Sequence, residues 1–231
     1  MAADDRAALS GFTLASYNVE LARRVDGVLG VLAAHERLGG ADVLAVQEAD
    51  DHIVERIVAR FGWHALYHPA DRHPATGRNF GLALFSRWPL REEQVLQLPR
   101  SGWRPRVQRI AVHAVVDTPD GALHVCNVHL STLLETSPRG QDRQARVVAE
   151  AVRSIAAPLV VIGDLNRRGA AHLLARAGFD WHTRAVGRTH LIWSFDHVLS
   201  RGLAGAWTVG TVREALLASD HRAVWARYAP S

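Results

Sequence analysis

Three scarcities in the 231-residue sequence exclude common classes of protein. Cys126 is the single cysteine, so no disulfide can form within one chain and a zinc site built on several thiolates is excluded. All 27 basic residues are arginine, and a Walker-type phosphate loop is excluded because it requires a lysine. No apolar run reaches the roughly 18 residues of a membrane-spanning helix.

The overall composition is that of an ordinary globular protein, with 48% hydrophobic and 22% charged residues. The first six residues include two acids and no apolar segment, so they do not resemble a secretory signal and we expect a cytoplasmic protein. The formal net charge of +4 permits a polyanionic substrate without requiring one. No linker or repeat divides the chain, and we therefore expect a single domain over residues 1–231, with its core at about residues 12–228.

Hydrophobic periodicity predicts a mixture of strands and helices. Strands are predicted over residues 12–18, 41–47, 80–86, 92–98, 107–116, 123–130, 159–163 and 223–228, and helices over 21–37, 53–62, from 138, and 170–177. Residues 68–79 are predicted to form a loop. Because strands and helices do not alternate strictly, we predict an α/β fold with two mostly antiparallel sheets packed face to face and helices outside.

Polar side chains interrupt the apolar strands near their ends. Taken alone, each has a common structural explanation: Asn18 is typical of a helix N-cap, and Asp164 of a turn after glycine. Taken together, they indicate a functional site on a rigid scaffold; the set comprises Asn18, Glu48, His129, Asp164, Asn166, Asp196, Asp220 and His221.

The chemistry of this set favours a divalent cation and a phosphate. Glu48, Asp164 and Asp220 would supply the hard oxygen ligands that Mg²⁺ prefers while it also binds substrate phosphate. His129 and His221 can donate hydrogen bonds to phosphate oxygens or move protons near neutral pH.

Six short motifs in this order resemble the endonuclease/exonuclease/phosphatase superfamily, which includes deoxyribonucleases, abasic-site endonucleases, inositol polyphosphate 5-phosphatases, neutral sphingomyelinases and messenger-RNA deadenylases. The motifs are Leu14–Asn18, Val46–Glu48, Asn127–Leu130, Val161–Asn166, Phe195–Val198 and Ser219–Arg222. The resemblance implies a four-layer α/β sandwich and a Mg²⁺-dependent phosphoesterase, with Mn²⁺ as a possible substitute. It also implies that Glu48 is the principal metal ligand, helped by Asn18, and that Asp220 contributes to the same or a second metal position.

The same resemblance implies the catalytic roles. Asp164 would position or deprotonate the attacking water, Asn166 would hold a phosphate oxygen, and His129 would contact the scissile phosphate. Asp196 would orient His221, which would act either as general base or as transition-state stabiliser. Two positions depart from the family pattern, since His197 replaces a common tyrosine and Ser194 a common basic residue, and both changes are expected to alter substrate contacts.

The substrate is less defined by the sequence. Residues 100–106 place arginines around a tryptophan, so Trp103, Arg104 and Arg106 are candidates to clamp a phosphodiester backbone, although a solvated loop explains them equally well. We expect a phosphodiesterase or nuclease-like enzyme acting on a phosphoester substrate such as DNA or RNA. The alternatives are a lipid or small-molecule phosphatase or phosphodiesterase of the same fold, and a catalytically silent binding module.

Overall fold

The computed structural model describes residues 9–74, 76–100 and 107–231. Five α-helices occur in these residues: α1 (Val25–Ala34), α2 (Glu36–Gly39), α3 (Asp51–Phe61), α4 (Pro138–Ala151) and α5 (Arg168–Arg176). The strands of the same residues are β1 (Phe12–Asn18), β2 (Val43–Ala49), β3 (His64–Arg72), β4 (Asn79–Ser86), β5 (Leu90–Gln97), β6 (Ile110–Thr118), β7 (Gly121–His129), β8 (Leu159–Asp164), β9 (Asp180–Trp181), β10 (Asp196–Arg201), β11 (Gly205–Val212) and β12 (Ala223–Pro230). None of the helices in the described residues is long and apolar enough to cross a membrane.

The strands form two six-stranded sheets with the same sequence of antiparallel and parallel pairs. The first sheet has the order β11-β12-β1-β2-β4-β3, and the second has the order β5-β6-β7-β8-β10-β9. Each sheet contains one parallel pair, β1 with β2 and β7 with β8, and its other pairs are antiparallel. The carboxyl ends of these two parallel pairs bring four of the candidate residues to one edge of the molecule.

The sheets pack face to face and the helices cover their outer faces. Leu14 of β1 packs with Val125 of β7 and Val160 of β8 between the sheets. The neighbouring Ala15 points to the other face of β1, where it packs with helices α1 and α3. Helices α4 and α5 pack on the outer face of the second sheet. This arrangement confirms the predicted four-layer α/β sandwich.

One buried side chain ties the two sheets together beside the site. The amide nitrogen of Asn127, on β7, donates to the carbonyl oxygens of Val46 at 3.0 Å and Ala83 at 2.9 Å in the first sheet. Its amide oxygen accepts from Nε2 of Gln47 at 2.8 Å. This network fixes the position of β2 relative to β7. It therefore also fixes the start of Glu48, which directly follows Gln47.

The structure corrects two local predictions. The first helix begins at Val25 rather than at residue 21, because Glu20, Leu21 and Ala22 adopt left-handed φ angles of 49°, 56° and 50°. Asn18 is consequently not a helix N-cap. Half of the predicted loop over residues 68–79 is instead strand, since β3 continues to Arg72 and β4 begins at Asn79.

Candidate active site

The candidate residues that end the parallel strands meet at one edge of the sandwich. Asn18 ends β1, His129 ends β7 and Asp164 ends β8, with His129 and Asp164 paired directly in register. Asp196 begins β10 and is paired with Asp164, because β10 runs antiparallel to β8. His221 lies in the segment before β12.

The amide of Asn18 holds two carboxylates from different sheets together. Its Nδ2 lies 3.1 Å from Oδ2 of Asp164 and 3.4 Å from Oε1 of Glu48. Its Oδ1 accepts from the backbone N–H of Glu20 at 3.1 Å. In this orientation the amide nitrogen faces the carboxylates, so Asn18 acts here as a bridge between Glu48 and Asp164.

Backbone irregularities aim Glu48 at the site. The pairing of β2 with β4 shifts register between Gln47 and Ala49, and Glu48 has a left-handed φ of 59°. In a regular strand, side chains alternate between the two faces of the sheet. A bulge of this kind turns one side chain out of that alternation. Oε2 of Glu48 also accepts from the backbone N–H of Leu21 at 3.0 Å. Leu21 lies in the left-handed turn after β1, so this turn supplies the donor that holds Glu48. Left-handed residues of this kind cost free energy, and they are concentrated beside the site.

His129 lies between these carboxylates and a buried arginine. Its Nε2 is 3.6 Å from Oδ2 of Asp164 and 3.9 Å from Oε1 of Glu48. The guanidinium of Arg109 lies 2.9 Å from the same nitrogen and forms paired contacts of 3.0 Å with both carboxylate oxygens of Glu135. Burial, together with the positive charges of Arg109 and His221, holds the pKa of His129 well below its usual value, so the ring is neutral.

His221 and Asp196 form a buried hydrogen-bonded pair. Nδ1 of His221 lies 2.9 Å from Oδ2 of Asp196, and the other oxygen, Oδ1, is buried with no hydrogen-bond partner among the described residues. Nε2 of His221 lies 3.8 Å from Oδ2 of Asp164 and 4.0 Å from Oδ1 of Asp220. Burial lowers the pKa of His221, but the charge and hydrogen bond of Asp196 and the charges of Asp164 and Asp220 outweigh it and raise the pKa to about 10.

Asp164 and Asn166 are held by the turn that follows β8. Oδ1 of Asp164 accepts from the backbone N–H of Asn166 at 2.8 Å, and Nδ2 of Asn166 donates to the carbonyl of Leu130 at 2.8 Å. Burial and the charge of Asp196 raise the pKa of Asp164. The preceding residue must be glycine, because Gly163 has a φ of 139° and a Cβ there would lie 2.2 Å from the carbonyl oxygen of Val128.

Asp220 lies with the histidines rather than with Glu48. Its carboxylate is 48% exposed and lies 3.4 Å from Nε2 of His190. Two groups of residues bring ligand atoms within 4.8 Å of one another and could hold a metal ion: His190 with Asp220 and His221, and Asp164 with Asp196 and His221.

Sequence reasoning missed Arg109 and His190, which contact candidate residues, and Glu135, which pairs with Arg109. His190 forms an isolated β-bridge with His221, and their ring centroids lie 4.7 Å apart. Nothing local distinguishes these residues from the other arginines, acids and histidines of the chain, because only the fold brings them to the site.

Both residues that depart from the family pattern are buried, and three candidate residues fall outside the described part of the chain. Trp103, Arg104 and Arg106 lie outside the described residues. The expectation that His197 alters substrate contacts is wrong, because its side chain is fully buried against Trp181 and Thr183 on the opposite face of β10. Ser194 is also buried, although Trp193 before it is exposed.

Comparisons with known proteins agree with this architecture. A family model described as the Endonuclease/Exonuclease/phosphatase family matches residues 15–221. Searching the curated proteins gives no match. Similar solved structures include an endonuclease/exonuclease/phosphatase from Beutenbergia cavernae, with 20% identity, a TM-score of 0.74 and coverage of 96% of this chain and 72% of that one.

Two further similar structures are of named proteins. Sphingomyelinase C from Streptomyces griseocarneus has 16% identity and a TM-score of 0.74, with coverage of 95% of this chain and 100% of that one. The human Nocturnin catalytic domain has 15% identity and a TM-score of 0.73, with coverage of 97% of this chain and 96% of that one. At these identities the likeness concerns the fold alone.

Proposed function

The chain belongs to the Endonuclease/Exonuclease/phosphatase family, and on that premise we propose that it is a divalent-metal-dependent hydrolase of phosphodiester bonds. The observation that supports this proposal most directly is the convergence of Asn18, Glu48, His129, Asp164 and the Asp196–His221 pair at one edge of the two sheets. Members of this family are generally phosphoesterases and typically depend on divalent metals. The complete set of polar groups favours a hydrolase over a silent binding module.

The donor atoms fit a hard divalent cation. Glu48 and Asp164 offer carboxylate oxygens within a cluster that also contains the Asn18 amide, and the single cysteine, Cys126, is buried elsewhere in the core. We assign Glu48 as the principal ligand, with Asn18 helping by holding its carboxylate beside that of Asp164, and Asp220 as a ligand on the histidine side. When bound, Mg²⁺ or Mn²⁺ would neutralise negative charge that develops on the phosphate during attack.

The remaining residues divide into proton acceptors and phosphate contacts. Asp164 orients the attacking water and accepts its proton. His221 faces three carboxylates within 4.0 Å, which favours the protonated ring, so its Nε2–H donates to a phosphate oxygen and stabilises the transition state. Asp196 is a positioning residue that fixes the orientation of His221, and His129 and Asn166 contact the other phosphate oxygens.

The reaction consumes one water for each diester. Water attacks phosphorus in line with the leaving oxygen, a new P–O bond forms, and the bond to the leaving alcohol breaks. The proton released by water reaches Asp164, and the alcoholate leaves as the alcohol after it takes up a proton. The products are a phosphomonoester and an alcohol.

Hydrolysis of bis-(p-nitrophenyl) phosphate by the purified protein tests the proposal. We expect activity with Mg²⁺ or Mn²⁺ that EDTA abolishes, and a kcat about 10²–10⁴ lower in His221→Ala. His52→Ala is the matched control, because His52 is exposed on α3. A wild-type protein with no metal-stimulated hydrolysis of this diester, or of DNA, RNA and phospholipid diesters, would overturn the proposal in favour of a binding module.

A further inference from the structure

Large exposed apolar side chains are concentrated on three loops of the described surface. Seven of the eight that occur there lie on these loops: Leu133 (48% exposed), Leu134 (85%), Leu191 (72%), Ile192 (73%), Trp193 (57%), Leu216 (38%) and Leu217 (74%). The eighth, Val95, lies on the edge strand β5. Single exposed apolar residues are normal on soluble proteins, whereas a concentration of them marks an interaction surface.

All three loops are attached to the candidate active site. The first follows His129, and the carbonyl of Leu130 at its start accepts from Nδ2 of Asn166 at 2.8 Å. The second ends at Asp196 and is bridged to the third through His190 and His221. The third leads into Ser219, whose hydroxyl donates to the carbonyl of Asn18 at 2.6 Å. The exposed apolar residues of these loops, which we call the apolar rim, therefore border the polar site.

The central part of the rim is a rigid turn. The backbone N–H of Trp193 donates to the carbonyl of His190 at 2.7 Å, and that of His190 donates back to Trp193 at 3.0 Å. Leu191 adopts a left-handed φ of 45° at the tip. This backbone is costly for a leucine, and the hydrogen bonds that impose it hold Leu191 and Ile192 out in solvent.

Exposed arginines flank the first two loops of the rim, whereas the exposed acids Glu214 and Asp220 belong to the third. Residues 187–195 contain no acidic residue, and Arg188 is exposed immediately before the turn. Arg139 is exposed at the start of α4, at the end of the first loop. An apolar tip flanked by arginine is suited to the interface of an anionic bilayer, where aliphatic and Trp side chains enter the acyl boundary and basic groups meet headgroups.

The composition of the rim argues against nucleic acid as its occupant. Nucleic acids are bound through phosphate contacts and through aromatic rings that stack on bases. Six of the seven side chains are aliphatic, and they offer neither interaction. We propose that the apolar rim seats the protein on an anionic phospholipid surface and that its substrate is an amphiphilic phosphodiester within that surface. The substrate part of this proposal rests on the proposed hydrolase function.

Vesicle co-sedimentation in EDTA tests the docking surface independently of catalysis. Unilamellar vesicles of phosphatidylcholine with phosphatidylglycerol, and of phosphatidylcholine alone, are mixed with wild type, the double variant Leu191→Ser/Ile192→Ser, and Val95→Ser. We expect wild type to bind the anionic vesicles more tightly than the neutral ones, and the double variant to bind them at least about tenfold more weakly. Val95→Ser should bind like wild type, because Val95 lies outside the rim. Thermal unfolding by circular dichroism checks that each variant is folded.

Each outcome separates the docking proposal from the proposed function. A wild type that hydrolyses bis-(p-nitrophenyl) phosphate but binds neither kind of vesicle would overturn the proposed docking surface and leave the proposed hydrolase function intact. A wild type that binds vesicles but hydrolyses no diester would overturn the hydrolase and leave the docking surface. Equal binding by wild type and the folded double variant, or cleavage of DNA or RNA in preference to vesicle phospholipid, would also overturn the inference.

Discussion

Nδ1 of His221 lies 2.9 Å from Oδ2 of Asp196, and both side chains are buried. A hydrogen bond to a carboxylate fixes the ring proton on Nδ1, so Nε2 is directed away from Asp196. Because Nε2 lies 3.8 Å from Oδ2 of Asp164, the pair aims one imidazole nitrogen at the carboxylate that Asn18 holds beside Glu48.

Asp196→Asn should therefore reduce catalysis without weakening metal activation. The amide keeps the size of the side chain but removes the charge that favours the protonated ring, and we expect kcat to fall by about 10²–10⁴. The alkaline limb of the pH–rate profile should move to lower pH, because the pKa of His221 falls. Asp180→Asn, at an exposed site on β9, is the matched control. An unaltered pH profile would assign Asp196 a purely structural role.

Glu48→Gln should weaken metal binding and the rate together. Loss of one carboxylate ligand lowers the affinity for a divalent cation, so the Mg²⁺ concentration for half-maximal activation should rise about tenfold or more. The stabilisation that Mg²⁺ gives in thermal unfolding without substrate should shrink in parallel. Glu36→Gln changes an exposed acid of α2 and should leave both quantities unchanged. Identical Mg²⁺ curves for Glu48→Gln and wild type would remove Glu48 from the metal site.

The sequence predicted the parts of the site that interrupt apolar strands. Asn18, His129 and Asp164 end strands that are buried along most of their length, so a polar residue at each end is conspicuous against a mainly apolar segment. The register of neighbouring strands also determines where the strand ends lie. The order of the strands therefore predicts that the residues at these ends lie close together.

The parts that escaped prediction depend on tertiary contacts or on unusual backbone. Arg109 reaches His129 only because β6 lies beside β7, and Glu135, in the loop after β7, pairs with Arg109. The left-handed turn over residues 20–22 goes against the local preferences of Glu, Leu and Ala, and contacts to Asn18 and Glu48 stabilise it. The end of β3 is half-exposed and polar, so its periodicity resembles that of a loop.

Asn127→Ala should destabilise the protein more than an exposed substitution on the same sheet. The change leaves the buried carbonyls of Val46 and Ala83 without their donor and Gln47 without its acceptor. We expect the free energy of unfolding to fall by about 2–4 kcal/mol, since unsatisfied buried polar groups cost about 1–3 kcal/mol each. Urea denaturation measures the change, with the exposed Gln97→Ala on β5 as control. A loss no larger than that of the control would show that the cross-sheet network does not hold the sheets together.

His113 should make the stability of the protein depend on pH. Burial, and then the neighbouring His124 whose Nδ1 lies 3.0 Å away, lower its pKa to about 4, whereas the unfolded chain titrates near 6.5. Between these values the unfolded chain binds a proton that the folded chain does not. The contribution of His113 to the free energy of unfolding is therefore complete above about pH 6.5 and is lost as the pH falls toward about 4.

In urea denaturation between about pH 7.5 and 5, His113→Gln should lose less stability than wild type, by about 1–2 kcal/mol. His64→Gln, at an exposed position, should follow wild type. Buried histidines elsewhere, such as His197, contribute the same sign of dependence and remain in both proteins. Parallel curves for wild type and His113→Gln would show that His113 is protonated equally in the folded and unfolded chains.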